Sequence, residues 1–148
     1  MKLEDIVRCI GLNPLYVNSK EQLDLIKSRL GGINPFDGGI CNAYIYIPWS
    51  EKVETIANRH GFIYPFDDCS VYGGITYGSA NCHNISEWHC PYSKVCTLEE
   101  YTSKWIVVGW DTNHYNDNRD KWTYRTVIEE NECLAKQILD IINKELGV

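Results

Sequence analysis

A chain of 148 residues, 44% hydrophobic and 23% charged, is long enough to bury a core without covalent staples, which excludes extensive disorder and the disulfide-dependent minidomains. Its formal charge of −6, with no basic stripe, excludes the usual direct DNA-binding domain, because neutralising phosphates takes clustered Lys and Arg. No run approaches the ~20 apolar residues of a membrane span, and seven cysteines, an odd number, fit reduced thiols in a cytoplasm better than a secreted disulfide framework.

Taken in order, Leu3, Ile6, Val7 and Ile10 recur at helical spacing and predict a short amphipathic helix ended by Gly11 and Pro14. Ser19 and Gln22 form a capping-box pattern, and Leu23, Ile26 and Leu30 predict a second helix that stops at Gly31-Gly32. Cys41, Ala43, Ile45 and Ile47 alternate with Asn42, Tyr44 and Tyr46, the period of a half-buried strand. Pro48 closes it, and Ser50 to His60 predicts a helix with Val53, Ile56 and Ala57 inward. Phe62-Ile63-Tyr64 is expected as a brief strand, and Cys69 to Tyr77 as another, interrupted by Gly73-Gly74.

Residues 79–97 lack sustained periodicity and read as an excursion from the sheet. Trp105-Ile106-Val107-Val108-Gly109-Trp110 then predicts a buried strand that ends at Asp111-Thr112-Asn113-His114. From about Thr123 to Leu146, the stripe Val127, Ile128, Leu134, Ala135, Ile138, Ile141 and Ile142 predicts a long helix lying across the sheet. The expected fold is therefore a single α+β domain over residues 1–148: a mainly antiparallel sheet of four or five strands, two N-terminal helices and a long C-terminal helix.

Four constellations carry chemistry. Asp111 with His114, and Asp117 and Asp120 beyond, could read hydroxyls and amides of a ligand, act as acid and base, bind a metal, or simply cap turns. The calcium-loop pattern fails, with Asn116 where Gly is required and Trp122 in place of the closing Glu. Gly73-Gly74-Ile75-Thr76-Tyr77 offers bare amides, a hydroxyl and a stacking ring, or a plain bulge. Cys82-His83, His89-Cys90 and Cys96 are weak zinc candidates without a Cys-x2-Cys knuckle, and no resident cofactor is expected. Tyr44, Tyr46, Tyr77 and Trp110, with Lys52, Arg59 and Arg119, supply rings for a base and cations for its phosphates. A nucleophilic elbow is missing from the sequence.

The order of these motifs resembles a group of small phage and prophage proteins. The resemblance rests on His60, Tyr64, Asp68, Val71-Tyr72-Gly73-Gly74-Ile75-Thr76-Tyr77, Trp105, Gly109 to His114, Asp117, Tyr124, Val127 and Glu130 to Ala135, and spans about residues 40 to 140. Members carry Val-His-Gly-Gly-Leu-Thr-Tyr, then Gly-Phe-Asp-Cys-Ala-His, then a C-terminal helix. Here Tyr72 replaces the first His, and Thr112-Asn113 replaces Cys-Ala. The resemblance implies a phage protein working in the cytoplasm of an infected bacterium, in counter-defence.

The resulting expectation is a binder that sequesters a cyclic or ADP-ribose-derived nucleotide signal without turnover. Tyr44, Tyr46, Arg59, Gly73, Gly74, Thr76, Tyr77, Trp110, Asp111 and His114 would form the site. The alternatives are an inhibitor that binds a host defence protein and a metal-dependent nucleotide hydrolase. Assembly into a homo-oligomer is an additional expectation.

Overall fold

The structure, a computed structural model, describes residues 1–12, 15–17, 42–82, 104–112 and 124–148, together with single positions Glu21, Asp24, Leu25 and Ser28. A short 3-10 turn, Leu3–Asp5, leads into β1 (Val7–Leu12) and β2 (Leu15–Val17). Then come β3 (Asn42–Pro48), helix α1 (Glu51–Arg59), β4 (Tyr77–Cys82), β5 (Trp105–Asp111) and helix α2 (Tyr124–Leu146). The five strands form one sheet in the order β2-β1-β3-β5-β4, and every neighbouring pair is antiparallel. Strand β5 is the last to arrive in sequence, and it lies between β3 and β4.

The expectation of two N-terminal helices is overturned. Residues 7–12 pair with β3, Val7 opposite Tyr46 and Gly11 opposite Asn42, so the first segment is a strand. Leu3, Ile6, Val7 and Ile10 satisfy a helical period, but the same residues run through Val7-Arg8-Cys9-Ile10, which also fits a strand, and the sheet edge decides between the two. Most of the second segment lies outside the described residues; Glu21, Asp24, Leu25 and Ser28 are helical in backbone and exposed. The two helices with defined ends are α1 and α2.

Alternation along β3 and β5 builds two clusters, one on each face of the sheet. Ala43, Ile45, Ile47, Ile106, Val108 and Trp110 face the helices, where Val53, Ile56 and Ala57 of α1 and Val127, Leu134, Ala135, Ile138 and Ile142 of α2 meet them. Tyr44, Tyr46, Trp105 and Val107 point the other way and pack with Cys82. Tyr46 and Val107 are completely buried, which corrects the expectation that the outer face of β3 is only half-buried.

Local signals position the helices. Ser50 Oγ accepts from the Val53 amide at 3.1 Å and starts α1. At the other end of the chain, Gly147 adopts φ +74°, and the Gly147 and Val148 amides donate to the carbonyls of Lys144 and Asn143. This is a Schellman stop for α2.

Helix α2 is fixed to the sheet by a polar group in the middle of the apolar layer. Asn131 is 2% exposed; its Oδ1 accepts from the Trp110 indole N–H at 3.0 Å and its Nδ2 donates to the Tyr44 carbonyl at 3.2 Å. Around it, Arg8 on β1 forms an ion pair with Glu132, the Tyr72 amide donates to Glu130, and Gln137 exchanges hydrogen bonds with the Ser70 main chain. Replacing Asn131 with Ala leaves a buried donor and a buried acceptor without this partner, so the unfolding free energy from urea titration should drop by roughly 1–3 kcal/mol.

Candidate functional site

The segment before β4 is a turn rather than the expected glycine-broken strand. The Gly74 amide donates to the Val71 carbonyl at 2.9 Å, and Gly73 and Gly74 take φ +71° and +77°. A residue other than glycine is strained there. Within this segment the amides of Tyr72, Gly74 and Thr76 donate to Glu130, Val71 and Gly109 respectively. The turn therefore spends these donors on the fold, and its service is to deliver Thr76 and Tyr77 to the end of β5.

Strand register brings the rest of the site together. Asn42 lies opposite Asp111, while Tyr44 and Tyr77 both lie opposite Gly109, one from each flanking strand. A Cβ on Gly109 would stand 3.1 Å from ring atoms of both tyrosines. The missing side chain leaves the lane in which the two rings meet edge to face, with centroids 5.6 Å apart at 65°. Beside them the Thr76 hydroxyl donates to Asp111 Oδ2 at 3.2 Å. Asn42, Tyr44, Thr76, Tyr77, Trp110 and Asp111 border a depression of about 260 Å³.

Several expected site residues stand elsewhere. Trp110 borders the depression, but it is 2% exposed and its indole points to Asn131 in the helix-side core, so the side chain serves packing. Tyr46 is buried behind Tyr44, with ring centroids 6.3 Å apart. Arg59 forms a 3.1 Å ion pair with Glu145. Glu145 follows Asn131 by fourteen positions on α2, which at 1.5 Å per residue puts it about 20 Å along the helix from the level of Tyr44 and Trp110. His114 lies outside the described residues, as do Asp117, Arg119, Asp120, His83, His89, Cys90 and Cys96. Cys82 is buried against Tyr44, Tyr46, Trp105 and Val107. Among the described residues no three His, Cys, Asp or Glu side chains are grouped to hold a metal ion.

Residues 60–69 form a second polar assembly. Phe62-Ile63-Tyr64, expected as a strand, is a turn whose three amides all donate to the Asp67 carboxylate at 2.7, 2.7 and 2.9 Å. Partial burial works to raise the Asp67 pKa, but the amides of Tyr64, Ile63 and Phe62 outweigh it and hold the carboxyl below its ordinary value. Cys69 behaves oppositely: burial, reinforced by Asp68 and Asp67, pushes its thiol up to about 12, which keeps it unreactive. His60 and Asp68 belong to the phage-like motif pattern, while Glu145 carried no sequence signal.

His60 stands between two carboxylates, with Nδ1 2.8 Å from Asp68 and Nε2 3.2 Å from Glu145. Donating to both requires the imidazolium. The hydrogen bond to Asp68 raises its pKa, partial burial opposes, and Glu145 adds to the rise; Arg59 shares Glu145 and helps keep that carboxylate charged. Because the folded pKa lies above the unfolded value of about 6.5, this stabilisation is complete below that value and is lost as pH rises through the folded pKa. The urea midpoint of the native chain should therefore fall across that interval, and His60→Gln should remove this part of the pH dependence. A native midpoint that stays level there would contradict the assignment.

Comparison with protein-family models, with curated proteins and with solved structures finds no match to this chain. The functional reading consequently stands on residue chemistry and geometry.

Proposed function

We propose that the protein is a binder of a small nucleoside-type ligand, and that it acts as a phage counter-defence factor by sequestering a host nucleotide signal. The observation that carries the reading is the Tyr44–Tyr77 ring pair beside the Thr76–Asp111 contact at the end of β5. A carboxylate pre-set by a hydroxyl accepts hydrogen bonds from a ribose diol, Asn42 offers both a donor and an acceptor to a base edge, and the rings offer apolar contact. At about 260 Å³ the depression suits a nucleoside-sized fragment. The Asp111 charge sets the polarity: hydroxyl and amino groups point inward, and phosphates point away.

Sequestration needs affinity and no chemistry, so a pocket preorganised by strand register is sufficient. The phage setting comes from the motif resemblance. Arg59 has no part in this reading, and Trp110 supports the site from behind.

Calorimetry against cyclic mono- and dinucleotides and ADP-ribose derivatives tests it. At least one should bind and be recovered chemically unchanged from heat-denatured protein. Asp111→Asn and Tyr77→Ala should each weaken that binding tenfold or more, the loss expected from removing a charge-assisted hydrogen bond or a packed ring. Absence of heat with every member of the panel would refute the proposal, and recovery of a cleaved product would replace sequestration with turnover.

A further inference from the structure

Strand β4 ends the sheet order, and among the described residues no strand pairs with its outer side. Tyr77 to Asn81 stay partly exposed, whereas β3 and β5 are buried almost throughout. The segment Gly78-Ser79-Ala80-Asn81 has small, uncharged side chains and no proline. Sheet edges are ordinarily guarded by charge, proline or distortion; here the regular pairing runs from Tyr77 to Ser79, and an irregularity follows between Ser79 and Cys82.

The loop beside this edge holds two apolar side chains in solvent. Phe62 is 95% exposed and Ile63 73% exposed. The Asp67 carboxylate clamps their amides. Gly61 is required because a Cβ there would come within 2.4 Å of the Tyr64 carbonyl oxygen. Fully buried Phe66, at φ +57°, anchors the loop from below. A strained, buried anchor and a three-amide clamp hold the tip rigid, which lowers the entropy lost when it is covered. Phe62, Ile63, Tyr64 and Pro65 then share one cleft of about 350 Å³ with Gly78, Ser79 and Ala80.

We propose that this edge and tip form a self-association surface, on which a second copy of the chain pairs its β4 antiparallel to the first about a two-fold axis. Charge selects this occupant. In a chain of net charge −6, like copies repel, and this cleft has no charged residue among the described ones that line it. Symmetry is the second reason: a two-fold contact must put one patch against itself. An unguarded strand supplies main-chain donors and acceptors that match their own copy, and each Phe62-Ile63 tip lies beside the joint. The ring of Phe62 could bury about 150–250 Å² there. Pairing would join two five-stranded sheets into one.

The test is sedimentation equilibrium of the full chain over a wide concentration range, with amide hydrogen exchange measured at both ends of that range. The native protein should reach the mass of a dimer, and the amides of residues 78–80 should become better protected as it does. Ser79→Lys places a charge against its own copy across the axis, and Phe62→Ser removes the tip from a position so exposed that the fold is unaffected. Each should raise the dimer dissociation constant tenfold or more, while Asp111→Asn should leave it unchanged. A chain that stays monomeric throughout, a dimer indifferent to both Ser79→Lys and Phe62→Ser, or protection confined to residues outside 78–80 would overturn the proposal. Because the readout is mass and protection, its outcome is independent of whether any nucleotide binds.

Discussion

The molecule depends on a sheet whose central strands are buried on both faces while the largest helix is pinned to one of them by a single amide. Asn131 joins three elements at once: α2, which carries it, β5 through the Trp110 indole, and β3 through the Tyr44 carbonyl. Apolar packing alone would let a helix slide by a turn with little change in buried area. A buried amide with two partners permits one register, because any other leaves polar atoms unsatisfied in a dry layer. That fixed register is what allows the opposite face of β3 and β5 to serve as a rigid floor.

On that floor the controlling residue is one without a side chain. Gly109 lies inside an otherwise bulky strand, where glycine weakens local β-structure. Its value is visible only across the sheet, where rings from two neighbouring strands converge over it. The site is thus a product of register. Asn42, Tyr44, Tyr77 and Asp111 are distant in sequence but adjacent because β5 inserts between β3 and β4.

The parts legible in sequence were those with a local cause. Ser50 capped α1, the apolar stripe after Tyr124 marked α2, and the unbroken run from Trp105 gave a buried strand. The segments misread were those whose fate was settled by distant partners. Residues 7–12 fit two periods, and pairing with β3 chose the strand. Phe62-Ile63-Tyr64 has strand-forming side chains, but the Asp67 carboxylate holds its amides in a turn. Thr76, Tyr77 and Asp111 were recognisable as site chemistry because each carries a functional group. Asn42 was read only as an outward residue of its strand, because register alone places it opposite Asp111. Trp110 shows the limit from the other side: period two assigns it and Asp111 to opposite faces, and its ring belongs to the core.

Strand β4 carries two surfaces of opposite chemistry within six residues. At its start, Tyr77 and the preceding Thr76 face an aromatic and acidic depression suited to a polar ligand with hydroxyls. Immediately after, Gly78 to Ala80 present small neutral groups along a strand edge, next to an apolar tip. Gly78 cannot grow, because a Cβ there would come within 2.5 Å of the Val107 carbonyl oxygen and 3.3 Å of the Pro65 ring. The smallness of the edge is therefore partly imposed by the close approach of β5 and the 60s loop. The same packing that draws Tyr77 over Gly109 also leaves the edge bare, and this joins recognition and assembly in one strand without making either chemistry depend on the other.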